Sequence, residues 1–544
     1  MQGRQGTSKQ GAPWLLALVV LAITVPWLNP YTAGPSAAVV PWLLTLCATA
    51  LLCLAAGVRR LPASLVAGGV AFAAWAIARG TGSLETYAVA GGVALVLMAA
   101  AAGASLAQRP QGVRTLAEAW VMAASLSAVI ALWQHQGFVQ EAIAWASAAS
   151  PGEAYGNLRQ RNQFASLTAI GLAACAWLFT QGTRARLLLP LVLLLSAANA
   201  ASTSRTGLLQ LLLIAGFSMA LPGPRRGARV ALSLAAIAAY ALAAMGLPWL
   251  LEVRGLGGAN LLDRVAGVGA CSSRRVLWSN VLDLIAQRPW LGWGWGELDY
   301  AHYAFLYDGP RFCDILDNAH NLPLHLAVEL GLPAAALFVG AAAAAAWRAR
   351  PWRETDGARR LAWAVLAALA LHSLVEYPLW YGPFQVAVGL SLGILCARGA
   401  PAPAAAAGVA RVAVPALALA VAAYAGWDYW RIDQIYRPES ARAPAYARDT
   451  LARISGSWLF HDQVRFAAFT MAPLRPDNAA QVHAEAQQVL HFSPEPRVIE
   501  RAIDSALVAG REDKARLEMR RFAAAFPEEH ARWLARRQPA SSPR

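Results

Sequence analysis

"PWLLALVVLAITVPWLN", residues 13–29, contains a single polar side chain, Thr24, ahead of its closing asparagine. About 20 such residues in a helix cross the roughly 30 Å hydrocarbon core of a bilayer. A secretory signal would end at a small-residue cleavage site and release a soluble chain. Here a second apolar run follows at 37–57, so the stretch reads as the first membrane span. The same pattern recurs at about 61–78, 85–106, 115–134, 163–180, 187–203, 206–221, 230–250, 321–346, 361–375, 383–397 and 412–427. The expected fold is an all-α polytopic membrane protein with about 12–13 transmembrane helices.

Composition agrees. Of the 544 residues, 57% are hydrophobic and 14% charged, against about 25% charged in soluble domains. The net charge of +15 does not point to nucleic acid, because much of it sits in short connections between spans. Arg59–Arg60, Arg109/Arg114, Arg184/Arg186, Arg225/Arg226/Arg229, Arg348–Arg360 and Arg398/Arg411 all fall on one side once the N-terminus is placed in the cytoplasm. The intervening connections 30–36 and 376–382 carry no Lys or Arg. Residues 1–250 then form an N-terminal set of spans, 251–320 a large periplasmic loop, and 321–427 a second set. Residues 428–544 change to Arg, Asp and Glu with helical periodicity, as in "AAQVHAEAQQVL". They are expected to form a soluble, helical, tetratricopeptide-like periplasmic domain. The expected location is the inner membrane of a bacterium, with the polar loops in the periplasm.

Cys47, Cys53, Cys175 and Cys396 fall in apolar runs, where cysteine is a small hydrophobe. Cys271 and Cys313 share the outer loop, an oxidising setting, and are expected to pair. Closing that loop is worth about 4 kcal/mol in the chain-entropy account.

Chemistry-bearing residues gather at the outer ends of the spans. "GNLRQRNQFA" (156–165) places Arg159, Arg161, Asn162 and Gln163 where a span begins. "STSRTGLL" (202–209) sets Arg205 in a tight turn, and "CSSRRVLW" (271–278) sets Arg274 and Arg275 at a helix start. Singly, each arginine reads as a helix-end anchor. Together, like charges converging on one face need an anion, and planar guanidinium forks suit a diphosphate. "DNAHNLPLHLAVELG" (317–331) puts His320 between Asn318 and Asn321 at the mouth of an apolar helix. A histidine there is commonly a cap, but one oriented by flanking amides can serve as a base. "LVEYPLWYGPF" (374–384) adds Glu376, Tyr377 and Trp380, read either as a site wall or as an interfacial aromatic belt. No P-loop, GxGxxG, HExxH or paired CxxC is present, so no nucleotide cofactor or metal is expected.

In their order and placement, "STSRTGLL", "SSRRVLW…LIAQRPWLGWGWGE" and "DNAHNLPLHLAVELGLP" resemble the shared core of the bacterial O-antigen ligase/polymerase and O-oligosaccharyltransferase superfamily. "GNLRQRNQFA" and "VEYPLWYGPF" resemble, more narrowly, its PglL-type protein O-oligosaccharyltransferases. The resemblance covers about residues 150–390. It implies a GT-C-like membrane glycosyltransferase that moves a preassembled glycan from undecaprenyl diphosphate, without a metal and with inversion. The acceptor would be a Ser or Thr of a pilin or other periplasmic protein. Lipid A-core or a second glycan are the acceptors of the ligase and polymerase branches, and a lipid-linked sugar transporter is a more distant reading. By motif, His320 and Arg205 take catalytic roles, as does one of Arg274 and Arg275. Arg161 follows with Arg159, Asn162, Gln163, Asn318, Asn321, Glu376, Tyr377 and Trp380 as substrate contacts.

Overall fold

Hydrocarbon leaves no partner for a free N–H or C=O, so apolar runs of this length fold as helices. The computed structural model describes residues 13–220, 225–256, 270–397 and 404–537. Within them the regular secondary structure is helical, apart from one isolated bridge, Ile143 to Ala146.

The first nine helices are α1 (Pro13–Leu28), α2 (Val39–Ala56), α3 (Ala63–Arg79), α4 (Leu84–Leu106), α5 (Gly112–His135), α6 (Arg161–Thr180), α7 (Ala185–Ala201), α8 (Arg205–Ala220) and α9 (Arg226–Val253). The connecting region then forms α10 (Arg274–Gln287) and α11 (Leu298–Ala304). The second set is α12 (Leu322–Leu330), α13 (Leu332–Ala349), α14 (Gly357–Ser373), α15 (Gly382–Cys396) and α16 (Ala404–Tyr436). Among the described residues seven helices are long and apolar enough to cross a membrane: α2, α4, α5, α6, α9, α13 and α16. Another five, α1, α3, α7, α8 and α15, are apolar but shorter. The chain is a multi-pass all-α membrane protein.

Alternate connections gather at opposite ends of the bundle. At one end Arg109 donates to the carbonyls of Ala55 and Ala56, Gln108 to Ala397, and Arg411 to Leu54. At the other, Asn157 donates to Leu28, Arg79 to Leu291 and Arg254 to Gln136. The second end carries all the motifs singled out above. Inside the bundle α4 and α15 touch backbone to backbone. Gly389 and Gly393 allow this, since a Cβ on either would collide with α4 at Val96 or Ala100.

The structure corrects two elements. The run 321–346, expected as one span, is two helices broken at Gly331 (φ 91°). The backbone of Trp290 and Leu291 lies where a Cβ on Gly331 would sit. Chain from this connecting region also supplies the hydrogen bonds the break leaves open. Trp293 N–H donates to Val328 (2.8 Å), Gly294 N–H to Glu329 (3.0 Å), and Leu332 N–H to Pro289 (2.8 Å). Secondly, the span expected to end at 427 continues unbroken to Tyr436 as α16. The charged region beyond it forms α17 (Thr450–Ile454), α18 (His461–Met471), α19 (Ala479–Phe492), α20 (Pro496–Val508), α21 (Glu512–Ala525) and α22 (Pro527–Arg537). From α19 to α22 each helix packs on the next. This set docks on α11: Tyr303 Oη donates to Glu518 (2.5 Å) and Arg521 Nε to the Ala304 carbonyl (3.0 Å).

Candidate functional site

Four helix starts or turns meet at the motif-bearing end. Gln160 caps α6 by accepting from the Gln163 N–H (2.7 Å), which puts Arg161 and Asn162 in the first turn. Ser204 caps α8 by accepting from the Gly207 N–H (3.0 Å), which makes Arg205 its first residue. Gly207 belongs here because a Cβ would collide with Asn199 and Ala165. Ser273 caps α10 by accepting from the Val276 N–H (3.3 Å), so Arg274 and Arg275 open that helix. A helix start is the positive end of the dipole and disfavours cations. Arginines at three such starts therefore work against local helix stability, and they suit an anion bound in front of them.

His320 adopts a left-handed backbone (φ 48°) just before α12. Asn318 Oδ1 accepts its N–H (2.9 Å), and Trp278 Nε1 donates to the carbonyl of Ala319 (3.1 Å). Asn321 caps α12 by accepting from Leu324 N–H (3.0 Å) and donates to the Leu374 carbonyl (2.9 Å), joining α12 to the end of α14.

Glu376 ties these parts together. Its Oε2 lies 2.8 Å from His320 Nδ1 and its Oε1 lies 2.5 Å from Arg274 Nη2. Asn162 Nδ2 donates to Oε1 (3.2 Å), and Ser204 Oγ donates to Asn162 Oδ1 (2.6 Å). Arg161 reaches Thr203 Oγ1 (3.4 Å) and Glu153 (3.3 Å). Arg274 Nη2 also stands 2.8 Å from His320 Nδ1. A carboxylate can only accept, so the contact with Glu376 requires Nδ1–H to donate to it; Arg274 then donates to Glu376 Oε1 and makes no hydrogen bond to Nδ1. That tautomer leaves Nε2 as the free base. Burial by itself would raise the Glu376 carboxyl. The His320 hydrogen bond, followed by the charge of His320 when it is protonated and that of Arg274, outweighs it and holds the group below the usual carboxylate range.

The remaining residues fall in three places. Arg205 and Arg275 are exposed beside the cluster with no ion pair among the described residues, and Arg274 is the one in contact with His320. Arg159 (φ 57°) turns instead to the Pro30 carbonyl (3.1 Å) and Thr32 (3.3 Å), and Gln163 is buried against Tyr381. Tyr377 meets the His320 ring edge-on at 4.8 Å, and Trp380 stacks on Trp295 at 6.0 Å; both line a crevice shared with Asn318. Cys271 and Cys313 are bonded, with Cα atoms 5.4 Å apart, and fasten the start of α10 to the segment before Asp317. Sequence reasoning missed Ser204 and Thr203, whose hydroxyls hold Asn162 and Arg161. Their signal is two hydroxyls directly before the arginine of a tight turn.

Comparison with known proteins agrees with these motifs. Residues 154–179 match the protein glycosylation ligase family, 189–339 the O-antigen ligase family, and 360–540 the C-terminal region of the virulence factor membrane-bound polymerase family. A general O-oligosaccharyltransferase of Acinetobacter baylyi is 26% identical over 253 residues, 45% of this chain and 44% of that protein. The match thus spans less than half of that relative's length.

Proposed function

We propose, from this likeness to PglL-type O-oligosaccharyltransferases of the O-antigen ligase superfamily, that the chain is an oligosaccharyltransferase of the inner membrane. It moves a preassembled glycan from undecaprenyl diphosphate to a Ser or Thr hydroxyl of a pilin or other periplasmic protein. The observation that carries the reading is the set of arginine-led helix starts around the His320–Glu376 pair.

Arg161, Arg205 and Arg274, with Arg275 beside them, neutralise the diphosphate and meet the charge that develops on it, an electrostatic task that a metal performs elsewhere. The acceptor oxygen attacks the anomeric carbon and forms the new glycosidic bond. The bond from that carbon to the phosphate oxygen breaks, and its electron pair leaves with the diphosphate. The hydroxyl proton passes to His320 Nε2, and Glu376 steadies the resulting imidazolium through Nδ1–H. A single displacement inverts the anomeric centre. General-base help of this kind is worth on the order of 10²–10⁴ in rate. Asn162, Asn318, Asn321, Tyr377 and Trp380 shape the cavity around these atoms. Arg159 and Gln163 act on the fold of its rim.

A second reading, ligation to lipid A-core or glycan polymerisation, is favoured by the O-antigen ligase and polymerase matches. The same transfer experiment separates the two. In membranes of a host carrying a lipid-linked glycan, the wild type and His320→Ala are compared on a pilin and on the lipid A-core fraction. Sugar on protein, lost in the variant, supports the first reading. Sugar on lipid A-core alone replaces it with the second.

A further inference from the structure

Next to His320 lies an acidic crevice. Three carboxylates from separate elements line it: Glu85 at the start of α4, Asp317 before α12 and Glu329 within α12. Asp299 stands close by, and burial followed by the charge of Glu85 raises its own carboxyl well above the usual range. The crevice encloses about 50 Å³ and opens to solvent at Glu85 and Asp317, which are exposed. Its other walls are the stacked indoles of Trp295 and Trp380, and Tyr377. No arginine or lysine among the described residues pairs with Glu85, Asp299, Asp317 or Glu329. Glu329 has only His325, at 3.3 Å.

One further group in the same walls is an open acceptor. His325 is 2% exposed, and with its Nε2 turned to Glu329 its Nδ1 has no partner among the described residues. Buried polar atoms are ordinarily bonded, so an acceptor left open into an acidic crevice marks a place for a donor ligand. Among the described residues no three acidic, His or Cys groups are arranged to hold a metal ion. The negative charge is spread along the walls, not focused on a point. Carboxylates dispersed around aromatic faces suit an organic cation, drawn by both charge and ring quadrupole. The small volume favours a compact ammonium over a planar guanidinium.

We infer that this crevice takes a primary ammonium of the acceptor protein, a lysine side chain, and so sets the neighbouring hydroxyl beside His320. The inference rests on the proposed function and adds to it a recognition rule. Asp317, Asn318 and Tyr377 are the shared wall: Asn318 accepts the His320 N–H and Tyr377 meets its ring. A cation held there is bound by walls that contain no arginine, whereas the arginine-led helix starts face the donor. Donor and acceptor are thus sorted by charge.

The test uses the full-length protein in membranes with lipid-linked glycan and peptides that differ at one position beside the serine: Lys, Gln or Glu. For the wild type, kcat/KM for the Lys peptide should exceed that for Gln by about five- to tenfold, the range expected of one partly exposed ion pair with an aromatic contact. The ratio should fall toward one in Asp317→Asn and in Glu85→Gln, and at high salt. A merely structural role would lower both peptides alike and leave the ratio in place. A wild-type ratio of one, or a ratio that survives both substitutions, overturns the inference. A binding arm uses a Lys peptide with Ser→Ala and the protein in nanodiscs. Binding that is lost in Asp317→Asn, without transfer to any acceptor, supports the crevice and sinks the proposed function. Transfer without charge preference does the reverse. Calcium bound so tightly that the peptide cannot displace it makes this an inorganic cation site and overturns the inference.

Discussion

Replacing Glu376 with Gln keeps the shape of the side chain and removes its charge. Three groups lose or change a partner: His320 (2.8 Å), Arg274 (2.5 Å) and Asn162 (3.2 Å). The Arg274 side chain is 38% exposed, so water compensates it readily. The His320 side chain is 19% exposed and that of Glu376 only 7%, so the imidazole contact is the one water cannot replace. Losing a hydrogen bond to a charged group costs about 1.5–3 kcal/mol. If that loss falls on the transition state, where the imidazolium forms, kcat drops about 10- to 150-fold. The Michaelis constant for donor should move less, because the arginines still face the diphosphate. Initial rates of glycan transfer in proteoliposomes, with thermal unfolding in parallel, measure both. A Glu376→Gln protein that melts within a few degrees of wild type yet keeps kcat within threefold would refute Glu376 as the residue that orients His320.

Other outcomes follow from the same geometry. The carboxyl of Glu376 is held below its usual range, so it stabilises the fold above the ordinary carboxylate pKa, near 4.5, and this is lost as pH falls through its lowered value. The stability difference between wild type and Glu376→Gln should therefore shrink as denaturation is measured from pH 6 down to about pH 3. Arg274→Ala should reduce transfer at least tenfold more than Arg275→Ala in the same assay, because only Arg274 touches the His320–Glu376 pair; equal losses would count against it. Gly207→Ala should destabilise by about 1–3 kcal/mol through overpacking against Asn199 and Ala165, read as a lower melting temperature. Reducing the Cys271–Cys313 bond should loosen the start of α10 and raise the Michaelis constant for donor severalfold, an effect absent from a Cys271→Ser/Cys313→Ser variant that has already lost the bond.

Hydropathy carries the spans because the bilayer imposes one requirement on every one of them, and the sequence meets it run by run. The break at Gly331 is invisible to that measure. "LAVELGLPAAAL" is apolar on both sides of the glycine except for Glu329, and what ends α12 is the backbone of Trp290 and Leu291, about forty residues upstream. Site residues flagged by local oddity were legible: arginine in a two-span turn, histidine between asparagines. Choosing between Arg274 and Arg275 needed the phase of α10, which spacing to Trp278 only hints at. Glu85 was not legible, since a carboxylate at the head of α4 acquires meaning only when Asp317 and Glu329 arrive beside it.

The hydrogen bond from Asn162 to Glu376 joins positions 214 residues apart. A chain made from its N-terminus carries Arg161 with its partner Glu153, and later Arg274, long before the carboxylate that joins α6, α10 and His320 exists. Until the turn at Glu376 emerges, Arg274 and His320 lack their anionic partner and Asn162 lacks its acceptor. The last polar turn to emerge links these three. Assembly of the centre is thus settled late in biogenesis, and truncation anywhere before residue 376 should yield an inserted membrane protein with an unassembled centre.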